Sequence, residues 1–371
     1  MKILTERAAL LKALTGLNRV VEKRNTIPIL SNVLLKAEGD TLFLKATDLD
    51  IEMTDQTACE TAEPGATTVS AAMLHDIVRK MPDGAQISLE TIEDGARVAV
   101  KAGRSRFQLQ AQPAEDYPDL AAGEMPYTFT LPGPTLAKMI ARTRFAISTE
   151  ETRYYLNGIY LHTLADGILT AAATDGHRLA RTEIAAPDVV EGMPGIIIPR
   201  KTVGELEKLA DEAGKDGALT FEVSSQKIRV SVGKTVLTSK LIDGTFPDYE
   251  RVIPRANDKI AVVEIAHLKN AIDRVTSVSS ERGNAVKFTF ADGRITLFVQ
   301  NPDAGNATDE VEADYDAAEL SIGFNGRYAL DILNALGGDT TRIKLADAGS
   351  PTIFQPAADD SLLCVLMPMR V

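Results

Sequence analysis

LTERAALLKALTGLNRVV (4–21), LPGPTLAKMIARTRFAI (131–147) and EIAHLKNAIDRVTSV (264–278) lie far apart in one chain yet follow one plan. Each sets apolar residues at helical spacing behind a short polar lead. After each comes an Asn-led segment of alternating character, SNVLLKA, LNGIYLH and GNAVKFT, which puts Asn32, Asn157 and Asn284 in equivalent positions 125 and 127 residues apart. A second strand then runs into a turn: LFLKATD, LTAAATD and ITLFVQNP. The latter half of the unit recurs as well. SAAMLHDIVRKM (70–81), IPRKTVGELEKLA (198–210) and FNGRYALDILNAL (324–336) read as short amphipathic helices, with Leu74, Val203 and Leu330 opening their apolar stripes at intervals of 129 and 127 residues. Strands such as AQISLE, LTFEV and TRIKLA follow them.

Self-similarity at a fixed period is the mark of a tandem array. The expected fold is therefore α+β: three tandem domains of the same topology, 1–122, 127–253 and 254–371, each with two helices and antiparallel sheets. EDYPDL (115–120) and GTFPDYERV (244–252) close the first two units alike, and their proline and acidic residues fit exposed connectors.

A length of 371 residues suits two or three domains, each with its own core. No apolar run reaches the length of a membrane span. The leading MKILTERAALLKAL mixes charge into its apolar positions and does not read as a signal peptide, so a cytoplasmic location is expected, without membrane association. Cys59 and Cys364 form no CxxC pair and read as reduced, buried thiols. The net charge of −12 excludes a protein coated in basic surface. The charge is sorted, however. Over the six helical segments it sums to about +9, which leaves about −21 for the rest of the chain. A cationic surplus on five of six repeated helices, within an acidic protein, suggests one shared surface facing phosphates.

Geometry limits what such an array can enclose. A block of about 125 residues is roughly 36 Å across. Three or four blocks in a ring leave too little room for a DNA duplex, whereas six leave a hole about one block wide. Three domains reach six through a twofold dimer.

KRNTIPILSN (23–32), GRSRFQLQ (103–110), RYYLNGIYL (153–161), TDGHRLA (174–180), FPDYERVIP (246–254), IGFNGRYALDIL (322–333) and the terminal MPMR (367–370), in this order and spacing, resemble the bacterial DNA polymerase III β subunit family of sliding clamps over essentially the whole chain. That resemblance implies the DNA clamp fold: a ring-shaped homodimer of six domains, helices lining the hole, encircling duplex DNA without sequence preference. It implies no cofactor, no metal and no catalysis by the clamp itself. It implies as partners the DNA polymerase III alpha subunit, the clamp loader and other proteins that dock through linear peptide motifs.

By resemblance, the partner groove comprises Arg153, Leu156, Thr174, Gly176, His177, Arg178, Leu179, Pro247, Arg251, Val252, Ser350, Val365, Leu366, Met367, Pro368, Met369 and Arg370. The chemistry suits it: two methionines offer adaptable apolar contacts, and Gly176 permits a tight turn. DNA contacts are expected from Arg24, Tyr154, Tyr155, Arg200, Lys201 and Lys208, since tyrosine stacks on bases and cations answer phosphates. The dimer interface is expected from Arg104, Arg106, Phe107, Leu109 and Val278, with acidic Asp303, Asp309 and Glu310 as partners for the basic strand.

Rival chemistries are thinner. Asp175 and His177 sit one glycine apart, but the local sequence supplies neither a nucleophile nor an orienting group. SVGKTV (231–236) lacks the upstream glycine of a phosphate-binding loop, position 228 being isoleucine. TDLDIE (47–52) aligns with TDGHRL and reads as the first unit's copy of that turn rather than a metal site.

Overall fold

The computed structural model describes residues 1–22, 26–120, 123–164, 167–185, 192–279 and 284–371. The helices are α1 (Arg7–Val20), α2 (Ala71–Lys80), α3 (Gly133–Thr143), α4 (Arg200–Ala213), α5 (Ile265–Thr276) and α6 (Gly326–Leu336). They form where the repeat places them, and for local reasons. In α1 the buried residues Leu10, Ala13, Leu14, Leu17 and Val20 follow the i, i+3, i+4, i+7 spacing of one face. Burying each such leucine stabilises by about 1.5–3 kcal/mol. The Glu6 carboxylate accepts the Ala9 N–H at 3.0 Å. Ser70 caps α2 through Met73 N–H at 3.4 Å, and Asn325 caps α6 through Arg327 and Tyr328 N–H at 3.0 and 3.2 Å.

Each helix is entered from a strand. Lys2–Glu6, Tyr127–Pro132 and Lys259–Glu264 lead into the first helix of each unit, and Gly65–Ser70, Ile196–Pro199 and Leu320–Asn325 into the second. The first three strands occupy what the sequence presents as polar leads, because period-2 runs such as KILTE and KIAVVE end directly at the first helical residue.

The strand ladders also correct two equivalences. Asn32 pairs with Ser70, whereas Gly158 pairs with Pro199 and Ala285 with Asn325. Ser31, not Asn32, therefore matches Asn157 and Asn284. In α6 the residue matching Leu74 and Val203 is the fully buried Ala329, one before Leu330.

By internal packing the described residues fall into two compact units. The first comprises 1–133 and 212–240 and contains a thirteen-stranded antiparallel sheet covered by α1 and α2. Within it Ile51–Ala58 pairs with Thr235–Lys240, Met53 standing opposite Leu237. The second comprises 134–211 and 241–371 and contains an eight-stranded and a four-stranded sheet. There Arg178–Ala185 pairs with Leu362–Leu366, Ala180 opposite Cys364. The same position of the repeat is thus joined twice, each time to the last strand of the next repeat. Burial pushes the Cys364 thiol up to about 12, so it is a packed, inert group. Around it in the second unit, Phe288, Phe290, Phe324 and Phe354 fill the core beneath α5 and α6.

Candidate functional site

The TDGHR stretch is a hairpin end between Ile168–Thr174 and Arg178–Ala185. The Thr174 hydroxyl donates to the Arg178 carbonyl at 2.7 Å and accepts the Gly176 N–H at 3.1 Å. One Asp175 oxygen accepts the N–H groups of His177 and Arg178 at 2.9 and 3.0 Å, and the other accepts Arg178 Nε at 3.0 Å. Both oxygens of the carboxylate are therefore spent on the turn itself. Asp175 is a turn-former, and among the described residues His177 has no carboxylate partner with which to move a proton. Gly176 sits at φ +88°, and a Cβ there would stand 2.7 Å from Arg153 Nη1. Thr47–Ile51 repeats the motif: Thr47 donates to the Ile51 carbonyl at 2.9 Å and Asp48 accepts the Asp50 and Ile51 N–H groups. No metal-holding cluster occurs there or elsewhere among the described residues.

Beside this turn one cluster of buried apolar side chains includes Leu156, Leu179, Phe246, Tyr249 and Val365, with Tyr155, Ile242 and Ile253 packed against it. Val252 and Met367 stand exposed, 49% and 40% accessible. Pro247 and Arg251 are exposed on the connector, with Arg251 paired to Asp248 at 2.7 Å. The carboxyl-terminal tail runs beside the turn. Met367 N–H donates to the His177 carbonyl at 2.9 Å, and Met369 N–H to the Gly323 carbonyl at 2.9 Å. Leu366 is buried, Pro368 and Met369 are half-buried, and Arg370 is exposed. Ser350 donates to Asp347 at 2.9 Å, just ahead of Thr352, which pairs with Leu366. Under the connector, His162 Nε2 meets the Tyr249 hydroxyl at 2.8 Å within a stack of Tyr160, His162 and Phe246. Burial holds the His162 imidazole below its ordinary range and raises the Tyr249 phenol.

Arg178 is largely buried. Its side chain is 10% exposed and reaches α6. Nη1 donates to Asp331 on α6 at 2.6 Å, and the guanidinium lies 4.2 Å from the Tyr328 ring centroid and 5.2 Å from that of Phe145.

Of the residues expected at DNA, Arg24 lies outside the described residues. Tyr154 is 55% exposed, whereas Tyr155 is turned into the apolar cluster. Arg200 and Lys201 are exposed and, with Tyr154, Asn157, Gly204 and Ile242, line a cavity of about 530 Å³. Lys208 is exposed and pairs with Glu205 at 2.7 Å. The cationic surplus of the helices is partly cancelled. Arg142 is 7% exposed and bonded to Thr182, Ser361 and Asp359, and Arg144 pairs with Glu207.

At the expected dimer surface Phe107 is 36% exposed and Leu109 buried, and Arg104 and Arg106 are exposed. Val278 is half-buried, its carbonyl accepting from Asn301. Asp309 is already paired with Arg274 at 2.6 Å, and Glu310 lies 3.5 Å from Arg294. Strand Ser105–Gln112 is paired along one side by Arg97–Ala102, but on the other only at Ala111 and Gln112. Strand Gly305–Glu312 is the edge of the four-stranded sheet.

Three family matches tile the chain: DNA polymerase III beta subunit, N-terminal domain, over residues 1–121; central domain, over 130–248; and C-terminal domain, over 250–370. The chain belongs to the DNA polymerase III beta subunit family. The beta sliding clamp of Caulobacter vibrioides (strain NA1000 / CB15N) is 49% identical over 374 residues, with all of both chains covered. That of Escherichia coli (strain K12) is 39% identical over 374 residues, again with full coverage of both. The sliding clamp of Bartonella birtlesii, solved bound to griselimycin, superposes with a TM-score of 0.96 at 48% identity over the whole of both chains. Family membership and antiparallel α+β architecture therefore agree. The three matched segments also fall at the repeat boundaries rather than at the two packing units, because the paired strands 51–58 and 235–240 merge sheet from two repeats into one body.

Proposed function

We propose that this chain is a sliding clamp: two copies close into a six-domain ring around duplex DNA and tether the replicative polymerase, without catalysing a reaction. The reading divides the chain into domains 1–122, 127–253 and 254–371, and it places the protein in the cytoplasm. Consistent with that, no helix among the described residues is long and apolar enough to cross a membrane.

The observation that carries this reading is the pattern of strand joints. Ladder by ladder, Met53, Ala180 and Ala307 hold one position of the repeat, and Phe107, Leu237 and Cys364 hold another. Met53 pairs with Leu237 and Ala180 with Cys364. Ala307 and Phe107 are the two members left over, one on each unpaired edge. A second copy satisfies both at once, and a twofold axis then makes two identical joints. The same register sets Arg104 of one copy opposite Glu310 of the other. In this assembly Arg104, Arg106, Phe107, Leu109 and Val278 form the interface.

Tyr154, Arg200, Lys201 and Lys208 meet DNA loosely, as expected where neighbouring carboxylates already answer several helical cations. Enclosure does the holding. A groove between the TDGHR turn and the tail takes short peptide segments of the polymerase III alpha subunit, the clamp loader and other partners. Its exposed methionine and aliphatic walls fit apolar anchors of differing shape.

The test uses the double variant Phe107→Cys, Ala307→Cys. Oxidation is expected to yield a covalent dimer that, once loaded, remains on nicked circular DNA and slides off the same DNA after linearisation. Equal retention on circles and on cut DNA would refute enclosure, and absence of the cross-link would refute the register.

A further inference from the structure

We infer that Asp331, on α6, is a positioning residue for the peptide groove: it acts through Arg178 to hold the TDGHR turn, and thereby both groove walls, in the binding geometry. The inference rests on the groove reading above and extends it to a residue outside the groove.

The turn needs no arginine in order to form. In Thr47–Ile51 the same threonine and aspartate hydrogen bonds are made, and the residue matching Arg178 is Ile51, 1% exposed in its own core. The second copy thus replaces a core anchor with a cation that leaves its hairpin and reaches α6. There the fork is held at three points: Asp175 Oδ2 at 3.0 Å from Nε, Asp331 Oδ2 at 2.6 Å from Nη1, and the Tyr328 ring 4.2 Å beneath. A planar guanidinium paired on two edges and stacked on a face has little freedom, so it transmits the position of α6 to Asp175. Asp175 in turn fixes the N–H groups of His177 and Arg178.

The turn touches both walls of the groove. The His177 carbonyl accepts from Met367 N–H, which sets the height of the tail. On the other side, a Cβ at Gly176 would lie 2.7 Å from the Arg153 guanidinium, so a small shift of the turn moves Arg153 as well. Asp331 is 38% exposed in its side chain, so it can be changed without opening the core.

The experiment compares wild-type chain with Asp331→Asn, Asp331→Glu and Arg178→Lys. It uses a labelled synthetic peptide covering the clamp-binding segment of the polymerase III alpha subunit, together with amide NMR of the unliganded protein. Asp331→Asn and Arg178→Lys are expected to bind the peptide about three- to tenfold more weakly, the range for coupled neighbours. The Gly176 and His177 amide resonances should shift without peptide present, and Asp331→Glu should recover part of the affinity. The double variant Arg178→Lys, Asp331→Asn should lose no more than the worse single variant. Wild-type affinity in Asp331→Asn, or unshifted Gly176 and His177 amides, overturns the positioning role alone. A wild-type chain that fails to bind the peptide overturns the groove reading and this inference with it.

Discussion

Gly323→Ala should empty half of the groove without unfolding the chain. Gly323 sits in the strand Leu320–Asn325, paired with Lys287 on one side and bridged to Met369 on the other. A Cβ there would stand 2.5 Å from Val371 Cγ1, and closer still to the Met369 carbonyl oxygen, which is backbone and cannot rotate away. An ordinary carbon–oxygen contact is about 3.3–3.6 Å, so the tail must retreat by roughly 1 Å. That breaks the Met369–Gly323 hydrogen bond and loosens the Val371 contact. A lost hydrogen bond costs about 0.5–1.5 kcal/mol, so its loss lowers the docking constant of the tail roughly two- to twelvefold. Peptide affinity falls in proportion to the docked fraction that remains. The denaturation midpoint should barely move, because the last residues of a chain fray without opening the core. Fluorescence polarisation with a labelled groove peptide reads the affinity, and a chain truncated after Leu366 gives the floor. If Gly323→Ala binds peptide as wild type does while the truncated chain does not, the tail is not held by the Gly323 pairing and the reasoning fails.

Three further outcomes follow from individual residues. Leu49 holds φ +80° at the position Gly176 fills in the second copy of the turn, and its side chain is 38% exposed; Leu49→Gly should therefore stabilise by about 0.5–1 kcal/mol, seen as a higher urea midpoint at unchanged slope. The Ser361 hydroxyl and the Arg142 guanidinium hold the Asp359 carboxyl below its usual range, so its stabilisation is present above the unfolded value near 3.9 and fades as pH falls towards the lower folded value. Asp359→Asn should cost about 1–3 kcal/mol at neutral pH, by leaving Arg142 buried with a weaker partner, and should flatten the stability profile below about pH 4. Met367→Glu places a carboxylate on the apolar wall and should weaken peptide binding about tenfold or more by titration calorimetry, with the mass of the dimer in solution unchanged.

How much of this was legible in the sequence depends on how far apart the causes lie. The helices were legible because cap and stripe sit about one turn apart, as Ser70 and Leu74 do in α2. The strand ahead of each helix was not, since KILTE continues into RAALL without a break and a helical stripe absorbs it. Alternation shows which residues share a face but not what they pair with, and that is why Asn32 was matched one residue away from its true counterpart, Ser31. Only the ladder to Ser70 fixes that register.

Distance in sequence also hid the roles of charge. Arg142 counts as one more cation on a basic helix until Asp359, 217 residues away, is found beside it. Arg178 sits inside the motif that marks the proposed groove, and its type and place suggest a wall; its partner Asp331, 153 residues distant, is invisible to that reading. A motif identifies a turn by its local hydrogen bonds, which Thr47–Ile51 shares in full. What suits the second copy to the proposed groove is supplied from elsewhere: a tail that runs beside it, a helix that anchors it, and Leu179 and Val365 where the first copy carries Glu52 and Thr238. Repetition is therefore readable from one unit to the next, whereas the difference that assigns a task to one copy resides in contacts between units of the repeat. Those contacts are made by the residues that depart from the pattern, so a comparison of the copies locates the working site by its exceptions.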